Sequence, residues 1–347
     1  MLRCVIIGCG PSTPGKGGAH SIAYAHAEAM RRVPGLQLEA AASRTPKNLE
    51  DFSAEFEGCR GYRDYRAMLR EQQPDLVAVC AFAADREEMV LAALEAGAKG
   101  IMIEKPMAVS LGPARRMMEA AAQTGCRLFV HHQRRYGLPF EWWRDAVANA
   151  DIGALEGIDI AAPMPKFMNF GPHLVDAALF ALGPERRAVA VFGAADTSEA
   201  ADFQGTRAEI QLLATVHFDD GVRLSIEGGK RACQRLPVLR ANGTTGFAEL
   251  LLEPLPGEGS VFRMVRAGEE VHSPSTNEHF HHSEDGALYV QRAYEDVHRA
   301  LTTGCTIRVD AEEALRGLEI IMAAYESARL GRMVELPLEQ EAFPLEI

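Results

Sequence analysis

The sequence lacks the features that mark membrane, secreted and repetitive proteins. No apolar run approaches the roughly 18 residues that a membrane-spanning helix requires. Internal repeats and low-complexity tracts are missing, and Met1 is followed directly by a strand-like segment, so we expect no signal peptide. The seven cysteines are scattered without a Cys-x-x-Cys pair, which indicates reduced, mostly buried thiols. We therefore expect a cytoplasmic protein.

A surplus of positive charge is also missing. The chain carries 36 Lys and Arg against 48 Asp and Glu, a formal net charge of −12. This balance argues against nucleic acid or an anionic membrane surface as a partner. What is present is ordinary for a soluble globular protein, with 47% hydrophobic and 24% charged residues. A length of 347 residues favours two domains.

The N-terminal segment has the pattern of a nucleotide-binding turn. A buried strand is predicted over residues 2–8, a glycine-containing loop over 8–18 and a helix over 19–32. This order places backbone N–H groups and a helix N-terminus against a pyrophosphate. The usual G-x-G-x-x-G spacing is not met, so the loop is longer than the standard turn. We assign four of its residues to cofactor binding, namely Gly8, Gly10, Pro11 and Ser12.

The end of the second predicted strand, residues 36–42, bears on the choice of cofactor. NAD-binding versions of this arrangement carry a carboxylate there, which holds the ribose 2′-hydroxyl. This chain has Ser43, Arg44 and Thr45 instead. Arg44 can pair with a 2′-phosphate and Ser43 can donate to it, which favours NADP, with NAD still possible. The alternative is that Arg44 is a solvated loop residue.

Strands and helices continue to alternate as far as residue 131, which predicts a doubly wound parallel sheet of the Rossmann type. One strand is predicted over residues 75–82 and another over 101–103. The latter stops at Glu104, Lys105 and Pro106, where strand ends face a ligand crevice. We assign Phe82, Glu104 and Lys105 to cofactor binding. The alternative is a surface Glu–Lys pair that closes a turn.

The second part of the chain begins after residue 136 and has a different pattern. A helix predicted to end at Gly183 carries His173 and Asp176 three positions apart, on one face. Asn169 shares that side if the helix extends back to it. Strands then dominate, including runs at 187–194, 207–218 and 221–228, and predict a large open, mainly antiparallel sheet. A histidine on an apolar helix is often a satisfied core residue, and that alternative stays open.

Two further segments are distinctive. Asn277–Asp285 contains three histidines, two glutamates and an aspartate, but the spacing fits no zinc motif. We interpret it as a loop that lines the substrate entrance rather than a metal site, and we assign no metal. A helix is predicted over residues 310–329, with Asp310 as its N-cap and Glu313 completing a capping box.

The chain resembles the Gfo/Idh/MocA family, the glucose–fructose oxidoreductase and inositol dehydrogenase group. The stretches that carry the resemblance are Val5-Ile-Ile-Gly-Cys-Gly10, Ala93-Leu-Glu-Ala-Gly97, Glu104-Lys-Pro106, His132-Gln-Arg-Arg-Tyr136 and Asn169-Phe-Gly171-Pro-His173-Leu-Val-Asp176. The resemblance implies a Rossmann domain over residues 1–130 and an α/β domain over 131–347 for substrate binding and oligomerisation. It also implies a homodimer or homotetramer that pairs through the open sheet.

The resemblance further implies an NAD(P)-dependent oxidoreductase that interconverts a hydroxyl and a carbonyl on a sugar, cyclitol or related polyol. Lys105 and His173 would be catalytic and would meet at the nicotinamide. The residues implied for substrate binding are Lys105, Asn169, His173, Asp176, Arg135 and Tyr136. Asn169 departs from the family, which has an acid at this position. An amide cannot take a proton or raise the pKa of a nearby imidazole as a carboxylate would.

Two other functions stay open. The resemblance also allows a sugar lyase or hydrolase that oxidises its substrate transiently with a tightly bound dinucleotide. Asn169 keeps open the other, a ligand-binding homologue with weakened catalysis.

Overall fold

The computed structural model describes residues 1–11, 21–199, 201–203, 206–230, 232, 238–251, 261–271 and 283–345. The chain divides into two units. The first contains residues 1–108, 112–133 and 286–312, and the second contains 109–111, 134–285 and 313–347. Ser12 and residues 277–282 of the histidine-rich segment lie outside the described residues. Among the helices that are described, none combines the length and the apolar character needed to cross a membrane.

The first unit is built on a six-stranded sheet in the order β3-β2-β1-β4-β5-β6, with every neighbouring pair parallel. This order is that of a Rossmann fold, so the predicted doubly wound sheet is confirmed. Its strands are β1 (Leu2–Ile7), β2 (Leu36–Ala42), β3 (Arg60–Tyr62), β4 (Leu76–Val79), β5 (Gly100–Ile103) and β6 (Arg127–Val130). Its helices are α1 (Ile22–Arg32), α2 (Pro46–Glu55), α3 (Tyr65–Gln72), α4 (Arg86–Glu95), α5 (Leu111–Thr124) and most of α8 (Ser283–Thr303).

The second unit is built on a nine-stranded sheet in the order β16-β15-β14-β13-β7-β12-β11-β8-β17. Only the β7–β12 pair is parallel, which confirms a mainly antiparallel sheet. Its strands are β7 (Leu155–Ala162), β8 (Ala188–Asp196), β11 (Gln211–Phe218), β12 (Arg223–Gly229), β13 (Val238–Gly243), β14 (Gly246–Leu251), β15 (Phe262–Arg266), β16 (Glu269–Val271) and β17 (Val334–Glu335). A separate pair is formed by β9 (Ala201–Phe203) and β10 (Thr206–Ala208), and the helices are α6 (Leu138–Ala148), α7 (Phe167–Leu182) and α9 (Ala311–Leu330).

Burial explains the apolar composition of the central strands of the first sheet. Every residue of β4 and β5 is buried, because helices cover both faces of a parallel sheet. The short strand β5 therefore reads as a continuous apolar run. It ends where Glu104 and Lys105 begin, so the polar groups emerge at the carboxyl edge.

Three local predictions need correction. The strand predicted over residues 75–82 ends at Val79, and Phe82 precedes a 3₁₀ turn, Ala83–Asp85. The run predicted over 207–218 is two strands, β10 and β11, since Glu209 and Ile210 lie between them. At the start of α9, Asp310 accepts a hydrogen bond from the Glu312 N–H at 2.8 Å, but Glu313 contacts Arg316 rather than completing a capping box.

Candidate functional site

The glycine turn follows β1 at the carboxyl edge of the first sheet. Gly8 has a φ of 101°, and a Cβ there would lie 2.9 Å from the Ala81 backbone nitrogen. Only glycine tolerates both the positive φ and this close approach. The Gly10 N–H donates to Ser21 Oγ at 2.8 Å, which ties the turn to the start of α1. Two of the four predicted turn residues are thus held in place, Pro11 is exposed, and Ser12 is outside the described residues.

The residues after β2 lie beside this turn. The Ser43 hydroxyl donates to the Cys9 carbonyl at 3.1 Å, so Ser43 links the ends of β1 and β2. The Arg44 side chain is 85% exposed and lies 3.4 Å from Asp85 Oδ2. Phe82, which lies three residues beyond the end of β4, is 65% exposed. The Arg44 and Phe82 side chains are accessible to a ligand. The Ser43 hydroxyl is instead engaged in the hydrogen bond that links the ends of β1 and β2.

The Glu104–Lys105–Pro106 segment follows β5 on the same edge, and its Lys–Pro peptide bond is cis. A buried arginine of α4, Arg86, binds this segment on both sides of Lys105. Its Nη1 donates to the Glu104 carbonyl at 2.5 Å and to the Pro106 carbonyl, and its Nε donates to the Ala81 carbonyl at 2.9 Å. Arg86 therefore fixes the backbone from which Lys105 projects.

The Glu104 carboxylate points into the protein and joins two buried imidazoles. Its Oε1 lies 3.0 Å from His26 Nε2 and 2.5 Å from His131 Nδ1, and His26 Nδ1 lies 2.6 Å from the Tyr294 hydroxyl. Burial opposes ionisation of Glu104, but His131 and His26 outweigh it and hold its pKa well below the usual range. Burial lowers the pKa of His26 to about 4. Glu104 is thus an interior anion, and its predicted contact with a cofactor stays a prediction.

The same three side chains are the set of potential metal ligands found among the described residues, with ligand atoms within 4.8 Å of one another. Hydrogen bonds already engage the atoms that face one another, namely Glu104 Oε1, His26 Nε2 and His131 Nδ1. A carboxylate only accepts, so His26 donates through Nε2 and His131 through Nδ1. The Tyr294 hydroxyl then donates to His26 Nδ1, which gives a consistent network without an ion.

In the second unit, local packing fixes the start of α7. The Phe167 ring lies against Gly171 of the same helix and Gly228 of β12, where a Cβ at either position would collide with it. The Phe167 N–H donates to the Glu209 carboxylate, which caps the helix because Lys166, in left-handed conformation, provides no side-chain cap. Gly171 of the predicted motif therefore has a packing role, and the helix extends back to include Asn169.

His173 is buried on α7, next to an aromatic side chain. The rings of Phe170 and His173 are edge to face, 6.2 Å apart, and the Arg134 guanidinium lies 4.4 Å above the Phe170 ring. Asn169 is exposed one turn earlier. This face of α7 thus combines an imidazole, an amide and a stacked guanidinium, groups that hold hydroxyls and transfer protons.

Two predicted substrate-binding residues bind each other. Arg135 donates to Asp176 through Nε at 3.0 Å and through Nη2 at 2.7 Å, and both side chains are buried. Glu313 lies 3.8 Å from the same guanidinium, and Tyr136 beside it is buried. The pair ties the 3₁₀ turn Gln133–Tyr136 to α7. Its direct contribution is to orient the helix that carries His173.

Two models of one protein family match this sequence. A family model described as an oxidoreductase family with an NAD-binding Rossmann fold matches residues 2–132. The model of the same family's C-terminal α/β domain matches residues 164–336.

The chain belongs to the Gfo/Idh/MocA family of oxidoreductases.

Individual Gfo/Idh/MocA-like proteins support this at low identity. D-apiose dehydrogenase of Paraburkholderia graminis is 24% identical, over 91% of this chain and 88% of that protein. Myo-inositol 2-dehydrogenase of Thermotoga maritima is 25% identical, over 65% of this chain and 71% of that protein. The structure of an Agrobacterium radiobacter oxidoreductase in complex with NAD+, L-tartaric acid and magnesium has a TM-score of 0.79 at 18% identity, covering 96% of this chain and 98% of that one. The structural likeness shows the fold.

Family membership confirms the resemblance and the oxidoreductase class, including an NAD(P)-binding Rossmann domain. The preference between NAD and NADP stays a prediction. Sequence reasoning missed four residues that hold the Glu104–Pro106 segment or its buried carboxylate in the first unit, namely Arg86, His26, His131 and Tyr294, and one that caps α7 in the second unit, Glu209. Their partners are distant in the chain, up to 268 positions for His26 and Tyr294, and no spacing rule links such residues.

Proposed function

We propose that the protein is an NAD(P)-dependent dehydrogenase or reductase that interconverts a hydroxyl and a carbonyl on a sugar, cyclitol or related polyol. The observation that carries the proposal is Lys105, which follows β5 at the carboxyl edge of the Rossmann sheet and is fixed by Arg86 on both sides. The named relatives act on apiose and myo-inositol, which supports this substrate class.

The described residues fit the cofactor. Gly8 keeps a tight turn at the carboxyl edge of the sheet, because a Cβ there would collide with the Ala81 backbone. Arg44 and Phe82, which follow the neighbouring strands, are exposed. Bound NAD(P) would accept or supply the hydride. We propose that NADP is preferred, because Arg44 stands where NAD-binding versions have a carboxylate.

The protein's own residues would then handle the proton and the developing charge. The Lys105 ammonium donates a hydrogen bond to the reacting oxygen and stabilises its negative charge. His173 takes or returns the hydroxyl proton. Asn169 holds a neighbouring hydroxyl, and Arg135, Asp176 and Tyr136 maintain the substrate pocket by orienting α7.

The test is turnover with a panel of aldoses, cyclitols and polyols, with NADP or NAD, followed by the absorbance of the reduced nicotinamide. On the substrate that turns over fastest, Lys105→Ala and His173→Ala should each lower kcat by about 100-fold or more. Lys99→Ala and His217→Ala serve as controls, since both side chains are exposed and lie outside the proposed site. Near wild-type turnover in both site variants would refute the assigned roles.

The same assay separates the other two functions. A lyase or hydrolase with transient oxidation would convert a glycoside or activated sugar without net formation of reduced nicotinamide, and the dinucleotide would co-purify with the protein. A ligand-binding homologue would bind cofactor, as measured by calorimetry, and turn over none of the panel.

We further propose that the open face of the second sheet pairs with a second copy of the chain. Phe192 of β8 and Leu213 of β11 are half exposed there. They border a hollow of about 570 Å³ whose walls also carry Asp159, Arg240 and Glu249. Exposed large apolar residues on a flat sheet face are typical of subunit contacts. The cytoplasmic location and the domain boundary near residue 130 stay predictions.

A further inference from the structure

Arg86 is a buried cation that binds only backbone carbonyls through its described hydrogen bonds. It is 3% exposed, and its three acceptors belong to residues 81, 104 and 106. Burial lowers the pKa of Arg86 to about 10, so it remains charged at neutral pH. A guanidinium is suited to this task because its planar fork of donors spans several acceptors at once.

A second anchor holds the same segment from the inside. The Glu104 side chain is fixed by His26 and His131, and His26 is fixed in turn by Tyr294 of α8. The rings of His26 and His131 lie 4.4 Å apart and restrict each other. The groups that face the carboxylate are therefore two imidazoles, with the Tyr294 hydroxyl behind them and the Cys80 thiol and the Arg86 cation nearby.

We propose that Arg86 and the His26–Glu104–His131 network are positioning residues of the reaction, which act by fixing the backbone of Lys105 from both sides. This inference rests on the proposed function, in which Lys105 contacts the reacting oxygen. Neither anchor contacts substrate in this scheme, and both act through Lys105.

The physical reason is the sensitivity of catalysis to geometry. A displacement of about 1 Å in a reacting group can cost about 100-fold in rate. Lys105 has a long side chain, so a small rotation of its backbone moves the ammonium by much more. A buried cation with three carbonyl ligands and a buried anion with two imidazole donors each resist that rotation, because breaking either leaves a buried charge without a partner.

A double-mutant cycle tests the inference on the full-length protein with the fastest substrate of the panel. Arg86→Lys should lower kcat by about 100-fold, while KM and the Kd for the cofactor stay within about twofold. If Arg86 acts through Lys105, the double variant Arg86→Lys/Lys105→Ala should be no slower than Lys105→Ala alone. Arg116→Lys, an exposed arginine on α5, is the matched control and should be unchanged.

A conservative pair probes the inner anchor. His131→Asn keeps a donor close to the Nδ1 position and should retain most of the turnover, whereas His131→Leu removes the donor and should lose it. A crystal structure of Arg86→Lys provides a readout without substrate, in which residues 104–106 should move by about 1 Å.

The outcomes are distinct. Either of two results would overturn the positioning role and leave the proposed function intact. One is a double variant whose loss of kcat is the product of the two single losses. The other is wild-type turnover in Arg86→Lys together with an unmoved 104–106 segment. Wild-type turnover in Lys105→Ala would overturn both, because the inference depends on that lysine.

Discussion

We propose that the choice between NADP and NAD depends on Arg44. Its side chain is largely exposed after β2 and has one long contact, at 3.4 Å, with Asp85. Such an exposed pair contributes little to stability, so the guanidinium is available to another anion at small cost. A 2′-phosphate offers two oxygens that the planar guanidinium can bind through paired hydrogen bonds.

We expect Arg44→Ala to raise the Kd for NADP by about 10-fold or more and to change the Kd for NAD by less than about twofold. The reason is that a hydrogen bond to a charged group contributes about 1.5–3 kcal/mol. Isothermal titration of both dinucleotides would measure the effect, with Arg63→Ala as control because Arg63 is an exposed arginine of the same unit. Equal losses for NADP and NAD would contradict the NADP preference.

Lys105 and His173 could be proposed as site residues from the sequence because each belongs to a short motif whose neighbours in the chain are also its neighbours in space. Lys105 follows an apolar strand directly, and His173 lies within one helix together with Asn169 and Asp176. Arg86 carried no such signal. Its role depends on carbonyls 18 and 20 positions away, which only the completed sheet brings together.

At the scale of elements, the periodicity of apolar residues predicted helices and strands well where the local sequence determines their boundaries. The strand predicted over residues 36–42 is β2 with the same bounds. Periodicity gave the wrong boundary where tertiary contacts determine it. Phe82 continues an apolar run in the sequence, but the pairing register of β4 with β1 and β5 ends at Val79, and the chain then enters the turn Ala83–Asp85. The capping of α7 by Glu209 was equally hidden, because the carboxylate comes from 42 positions further along the chain.

This cap gives a pH-dependent prediction for α7. Burial raises the pKa of Glu209, which is 1% exposed. An acid whose pKa is higher in the folded state stabilises the fold at pH values below its unfolded pKa. That contribution is lost as the pH rises through the folded value. At neutral and alkaline pH, burial of the ionised Glu209 carboxylate is therefore a free-energy cost to the folded state.

Glu209→Gln should remove that cost, since an amide oxygen can still accept the Phe167 N–H without a charge. We expect the variant to melt about 2–4 °C above wild type at pH 8, the shift that roughly 1 kcal/mol causes in a domain of this size. Below a pH of about 4 the difference should vanish, because the wild-type side chain is then neutral in both states. Scanning calorimetry across this range would measure it, with the exposed Glu185→Gln as control. A variant less stable than wild type at pH 8 would show that the charge itself caps the helix.

At the scale of the whole molecule, the two sheets differ in what covers them. Helices cover both faces of the first sheet, whereas the second sheet leaves Phe192 and Leu213 about half exposed on adjacent strands. A stable interface buries about 800 Å² per partner around an apolar centre with a polar rim. The hollow between these residues and the charged groups Asp159, Arg240 and Glu249 has that composition.

If a second copy covers this face, placing like charges at its centre should separate the copies. We expect Phe192→Glu/Leu213→Glu to elute with the mass of one chain by light scattering, whereas wild type should show two or four. Leu330→Glu is the control, since that exposed leucine lies at the end of α9 and not on the sheet. Because both substituted residues are half-exposed side chains on the sheet of the second unit, cofactor affinity should persist in the monomer. An unchanged mass in the double variant would assign the subunit contact to another surface.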